Sequence, residues 1–149
     1  MNFESVLLAC DTPRSTPRYT GPETANVAAF LWYRPDGSAA ALLVDQCRGT
    51  SVTNAAEAIM AFLLRQHTGR RGYPWNGLSV AYRDSEGQWD QLALTGDADG
   101  RFAGVDFRPL GDRTLDDALR FLAAVGVTPS PAERALIQQA VNCAGAEAA

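Results

Sequence analysis

Two pairs of apolar runs, separated by one segment with helical periodicity, limit the folds open to this chain. In the first pair, residues 27–33 and 39–44 flank a turn-forming Pro-Asp-Gly sequence. In the second, residues 78–82 and 88–94 alternate apolar with polar side chains around a short turn that ends in glycine. Both patterns predict a β-hairpin with an apolar face.

Two further strands are predicted outside these hairpins. Residues 4–10 form a short apolar run before a proline-rich segment. Residues 101–107 follow an acidic glycine turn and end before a proline, and Phe107 is expected to face the core after a bulge at Gly104. These runs extend the predicted sheet on either side.

The segment between the hairpins has the pattern of an amphipathic helix. Asn54 is a suitable N-cap, Glu57 stands at the third helical position, and apolar residues follow at helical spacing as far as Gln66. Gly69 is expected to end the helix. This segment is the predicted central helix.

Two C-terminal helices are predicted from their capping residues. Thr114 with Asp117 begins the first, which Gly126 ends, and Ser130 with Glu133 begins the second. The predicted apolar stripe of the first comprises Leu115, Ala118, Leu119, Leu122 and Ala123. That of the second comprises Ala135, Leu136, Gln139 and Ala140.

Together these elements predict one α+β domain over residues 1–149. Its expected architecture is an antiparallel sheet of about five strands, with the central helix and two C-terminal helices packed on one face. Residues 11–23 contain three prolines and are expected to form a surface loop, and the alanine-rich residues 144–149 a frayed tail.

Charge and composition narrow the class of protein. The net charge of −4 disfavours a general nucleic-acid binder. All 13 basic residues are arginine, which together with the many alanines is typical of a GC-rich bacterial genome.

The three cysteines lack zinc-site or disulfide-framework spacing, so neither metal nor cofactor is expected. The first residues lack a signal-peptide pattern, and no apolar run is long enough for a membrane span, so a cytoplasmic protein is expected.

The first candidate site is the connection between the first hairpin and the central helix. A helix N-terminus offers free N–H groups and a positive dipole end, which suit an anionic ligand or a partner's acidic group. The same residue types also serve ordinary capping and turn formation, which is the more common role. The candidate residues are Arg48, Gly49, Thr50, Ser51, Thr53 and Asn54.

The second candidate is a cationic cluster with aromatic residues behind it, at the end of the central helix. Arginines beside exposed aromatic rings could bind a partner's acidic motif or stack on bases. Cations at a helix C-terminus are also favoured by the dipole alone. The candidate interaction surface comprises Arg65, Arg70, Arg71, Tyr73 and Trp75.

Nucleophilic catalysis finds little support in the sequence. His67 is the only histidine, and Cys47 is the cysteine closest to it in sequence. The predicted central helix would separate these two side chains by roughly 20 Å. We therefore predict no catalytic residue.

The sequence favours a small binding protein of the inhibitory, immunity or adaptor type that acts through contacts with another protein. A sheet with helices on one face leaves its other face for a partner or a second copy, and aromatic residues on the strands could line it. These aromatics are Trp32, Tyr33, Tyr82 and Trp89. The alternative is an anion-binding domain or an enzyme that uses residues 48–54.

Overall fold

The chain folds as a six-stranded sheet with two helices described after it. The computed structural model describes residues 2–11, 24–34, 38–45, 78–84, 87–96, 102–111 and 114–147. The strands are β1 (Asn2–Asp11), β2 (Thr24–Tyr33), β3 (Ala39–Asp45), β4 (Leu78–Arg83), β5 (Trp89–Gly96) and β6 (Phe102–Pro109). The helices are α1 (Leu115–Ala124) and α2 (Pro131–Glu147).

The six strands lie in the sheet in their order along the chain, from β1 at one edge to β6 at the other. Four neighbouring pairs are antiparallel, but β3 and β4 run parallel. The α+β class is confirmed. The predicted antiparallel sheet of about five strands is wrong, since the sheet is mixed and has six. Parallel neighbours need a long crossover connection, and residues 46–77 join β3 to β4.

Both helices pack on the same face of the sheet. Phe121 and Leu122 of α1 and Ile137 of α2 share one buried cluster with alternate residues of the central strands. Those strand residues are Ala28, Phe30 and Trp32 of β2, Ala40, Leu42 and Val44 of β3, Ala81 of β4 and Trp89 of β5. We call this the helix face of the sheet.

The opposite face is also buried along the central strands. Leu31, Leu43 and Val80 alternate with the residues of the helix face, and each is 0% exposed. The four aromatics considered as possible lining of a bare sheet face are all buried, and two of them, Trp32 and Trp89, belong to the helix-face cluster. The expectation of a bare apolar face over the central strands is therefore wrong.

Helix α1 begins as predicted, and its buried stripe includes Ala118 and Leu122 of the predicted set. The Thr114 backbone N–H donates to the Asp117 carboxylate, and Gly126 after the helix has a φ of +85°. The buried apolar residues are Ala118, Phe121 and Leu122. Ala123, predicted to be in the stripe, is exposed.

Helix α2 is tied to the sheet at its first turn. Ser130 Oγ accepts a hydrogen bond from the Glu133 backbone N–H at 3.1 Å, and Glu133 Oε1 accepts the Ser130 backbone N–H at 3.0 Å, as the predicted cap requires. Glu133 Oε1 also accepts a hydrogen bond from Trp32 Nε1 at 3.1 Å. The cap therefore fixes the start of α2 above β2.

The predicted apolar stripe of α2 is wrong for most of its residues. Ile137 and Ala140 are buried and Val141 is partly buried, whereas Leu136 is 43% exposed. The bond between Glu133 and Trp32 sets which side of the helix meets the sheet, and this tertiary contact cannot be read from helical spacing.

Strand β6 forms an exposed edge. The pairing of β5 with β6 shifts register between Thr95 and Gly96, next to the predicted bulge at Gly104. Phe107, which was expected to face the core, is 52% exposed. Its neighbours Asp106 and Arg108 are exposed as well, because β6 is the last strand of the sheet.

Several predicted features lie outside the described residues. These are the central helix from Asn54 to Gln66, residues 12–23 of the predicted loop and the last two residues of the tail. The loop was predicted to begin at residue 11, which is wrong, because Asp11 is the last residue of β1. Helix α2 itself runs to Glu147, into the segment predicted to fray.

Candidate functional site

Both sites predicted from the sequence lie outside the described residues. This applies to Arg48, Gly49, Thr50, Ser51, Thr53 and Asn54, and to the cationic cluster of Arg65, Arg70, Arg71, Tyr73 and Trp75. It applies equally to the pair Cys47 and His67. These remain predictions, and the structure is informative about what surrounds the start of the first segment.

The strand that leads into residues 48–54 ends on a buried carboxylate. Asp45 is the last residue of β3 and is 4% exposed. Tyr82 of the parallel neighbour β4, which is 2% exposed, donates its hydroxyl to Asp45 Oδ2 at 3.2 Å. The carboxyl ends of two parallel strands therefore meet at a buried polar pair, on the face opposite the helices. The sequence signal for this polar pair was the position of Asp45, which directly follows the apolar run of residues 39–44.

A second acidic position, Asp84, directly follows β4 and begins the β4–β5 hairpin turn. The Asp84 carboxylate accepts the Gln88 backbone N–H at 2.9 Å, and Gly87 takes a φ of +86° to close the turn. Partial burial and the neighbouring Asp84 raise the pKa of Asp90. Within the part of the chain that is described, no group of three or more His, Cys, Asp or Glu side chains could hold a metal ion.

A groove of about 260 Å³ lies between edge strand β1 and helix α2. Residues of β1 and β2 form one wall of the groove, and residues of α2 form the opposite wall. No charged side chain contributes to the lining. The residues that line it include Ser5, Leu7, Ala28, Phe30, Leu136 and Cys143. We call this the β1–α2 groove.

Exposed apolar side chains are concentrated at this groove. Among the described residues three large hydrophobic side chains are exposed, namely Leu7 at 57%, Phe107 at 52% and Leu136 at 43%. Leu7 and Leu136 line the groove together, one from the strand and one from the helix. Phe107 stands alone at the opposite edge of the sheet. A single exposed hydrophobic residue is ordinary, but two that face each other across a groove form a patch.

Helix α2, which forms one wall of the groove, is held on the sheet by several contacts. The hydrogen bond from Trp32 to Glu133 holds the start of α2, and buried Ile137 packs into the helix-face cluster one turn later. Phe3 of β1 packs on Trp32 with ring centroids 5.2 Å apart. These contacts place α2 over β2 and leave β1 partly uncovered, with Asn2, Ser5 and Leu7 exposed.

The β1–α2 groove was not predicted from the sequence. Residue 136 was assigned to the buried stripe of its helix, and residues 4–10 were expected only to form a strand. Exposure of Leu7 depends on β1 being at the sheet edge, which is a property of strand order. Helical spacing alone could not show which of the adjacent Leu136 and Ile137 is buried, because one helix face can bury two neighbours, as Phe121 and Leu122 of α1 do.

Comparison with protein-family models, with curated proteins and with solved structures finds no significant match. Neither α1 nor α2 is long and apolar enough to cross a membrane.

Proposed function

We propose that this protein acts by binding another protein, as an inhibitory, immunity or adaptor factor, and that the β1–α2 groove is its contact surface. The observation that carries the proposal is the exposure of Leu7 and Leu136 on opposite walls of one uncharged groove. Exposed apolar patches next to a groove are typical of protein interaction sites.

The location of the groove also supports this role. It adjoins an edge strand, whose outer backbone groups are able to pair with another chain. Its helical wall is fixed by the bond between Trp32 and Glu133, so little ordering of the wall is needed on binding. The aromatic residues first considered for an interface are buried, which leaves the groove as the best described candidate.

A display library of random linear peptides supplies a defined probe. Peptides are selected on the immobilised wild-type chain and their affinities are then measured for two variants. Leu136→Arg places a charge in the groove and is expected to weaken binding at least about tenfold, equivalent to about 1.4 kcal/mol. Phe107→Arg is the matched control, because it makes the same kind of change at a similarly exposed position on the opposite edge.

Equal affinity of the selected peptides for wild type and Leu136→Arg would refute the proposal. So would a selection that enriches no peptide. Both variants change exposed positions, so circular dichroism is expected to show the wild-type fold in each.

A second candidate function is ligand binding by residues 48–54, and the position of this segment in the chain supports it. These residues follow β3 at the carboxyl end of the parallel pair β3–β4, where α/β sheets commonly bind ligands. The candidate residues 48–54 themselves lie outside the described part of the chain. No described contact of theirs supports ligand binding, so we place the anion-binding or enzymatic function second.

Inorganic phosphate tests this second function directly. If residues 48–54 bind anions, phosphate raises the melting temperature of the wild type but not that of a chain with Arg48→Ala and Ser51→Ala. Sodium chloride at equal ionic strength is the control. An identical response of both chains would end the anion-site hypothesis.

A further inference from the structure

We infer that the β1–α2 groove takes an extended, apolar and basic segment of its partner, which pairs with the outer edge of β1 as a seventh strand. This inference rests on the proposed function and specifies how the same surface is used. Its basis is the juxtaposition of an apolar groove with a strand edge that no other described strand pairs with.

The backbone of β1 offers the pairing surface. Among the described strands β1 pairs only with β2, through a continuous register from Asn2 opposite Tyr33 to Asp11 opposite Thr24. In an antiparallel ladder every second residue directs its N–H and C=O away from its partner strand. A ten-residue edge strand therefore offers several donors and acceptors at regular spacing.

The groove supplies side-chain specificity at the same place. Ser5 and Leu7 point to the helix face, since their register partners Phe30 and Ala28 belong to its cluster. Helix α2 packs over β2 and β3, so a strand added beside β1 would lie where no described helix covers the sheet. Every second side chain of that strand would then face Leu7 and Leu136, which favours apolar residues at alternate positions.

The negative charge of β1 and of the whole chain indicates the kind of partner segment. Strand β1 carries Glu4 and Asp11 and no basic residue, the groove lining is uncharged, and the chain has a net charge of −4. A second copy would bring the same acidic strand and the same net charge to the edge. A segment with basic residues between or beside its apolar positions is complementary to β1. We therefore choose a basic partner segment over a homodimer.

Amide hydrogen exchange tests strand pairing independently of groove binding. A selected peptide with alternating apolar residues is added to the full chain, and exchange is measured residue by residue. We expect alternate amides of β1 to slow at least about tenfold, while the amides of β6, the other edge strand, are unchanged. N-methylation of alternate peptide amides is expected to weaken binding at least about tenfold at the positions that face β1 and little at the others.

The other outcomes separate this inference from the proposed function. If peptides bind, lose affinity for Leu136→Arg and yet protect no β1 amide, strand pairing is refuted while protein binding through the groove stands. Protection of β6 in place of β1 also overturns the inference. A homodimer would also overturn the inference. In that case the chain sediments as a dimer, its β1 amides are protected before any peptide is added, and Leu7→Glu makes it monomeric, because a second copy occupies the groove. A selection that enriches no peptide refutes the proposed function itself.

Discussion

Replacement of Ile137 by alanine is expected to destabilise the protein far more than the same change at the adjacent Leu136. Both substitutions remove three carbons. Ile137 is 0% exposed and is the one large apolar side chain that the described part of α2 buries fully. At about 0.8 kcal/mol for each buried carbon the transfer contribution is about 2.5 kcal/mol, and the cavity left behind raises the total to about 3 kcal/mol.

Leu136 is the matched control because it lies on the same helix and is 43% exposed. Its truncation is expected to cost about 1 kcal/mol, since roughly half of the side chain is already in water and no closed cavity forms. Urea unfolding followed by circular dichroism measures both values, and the melting temperature of Ile137→Ala should fall by roughly 10 °C. Equal losses for the two variants would show that α2 does not pack on the sheet through Ile137.

Three further predictions concern the elements that support the groove and the hairpins. Gly111→Ala should destabilise by about 2 kcal/mol in urea unfolding, because Gly111 has a φ of +128° and an added Cβ would lie 3.0 Å from Asp117 Oδ1. Glu133→Ala should cost about 1 to 3 kcal/mol, because it leaves the buried Trp32 indole N–H without its acceptor, whereas Glu133→Gln keeps an acceptor oxygen and should cost less than half as much. The raised pKa of Asp90 means that the folded chain holds this proton more tightly than the unfolded chain. Its contribution to stability therefore falls as pH rises from 3.8 through the raised value. Asp90→Asn should be more stable than wild type at neutral pH, and urea unfolding at several pH values should show the advantage disappear below 3.8; an advantage independent of pH would contradict this cause.

The features predicted most accurately from the sequence are those set by local contacts. The caps at Thr114 and Ser130 and the glycine end at Gly126 each involve residues within one helical turn, and the structure has all three. Both hairpins were likewise predicted from their turn residues and apolar runs.

Features that depend on long-range contacts were not predicted. The parallel direction of β4 relative to β3 is a long-range property that the local alternation of apolar residues does not encode. The side of α2 that meets the sheet is set by the contact of Glu133 with Trp32, more than a hundred residues earlier. The candidate groove was missed for the same reason, since it exists only once strand order and helix rotation are known.

Alkylation of Cys143 is the measurement that tests groove binding most directly. This thiol is exposed and lines the β1–α2 groove, so it reports occupancy in a chain with no substitution. Mass spectrometry of the fragment that contains it reads this thiol separately from Cys10 and Cys47. We predict that a saturating peptide selected on the wild-type chain slows alkylation of Cys143 in proportion to the bound fraction. An unchanged alkylation rate at saturation would contradict the assignment of the groove as the contact surface.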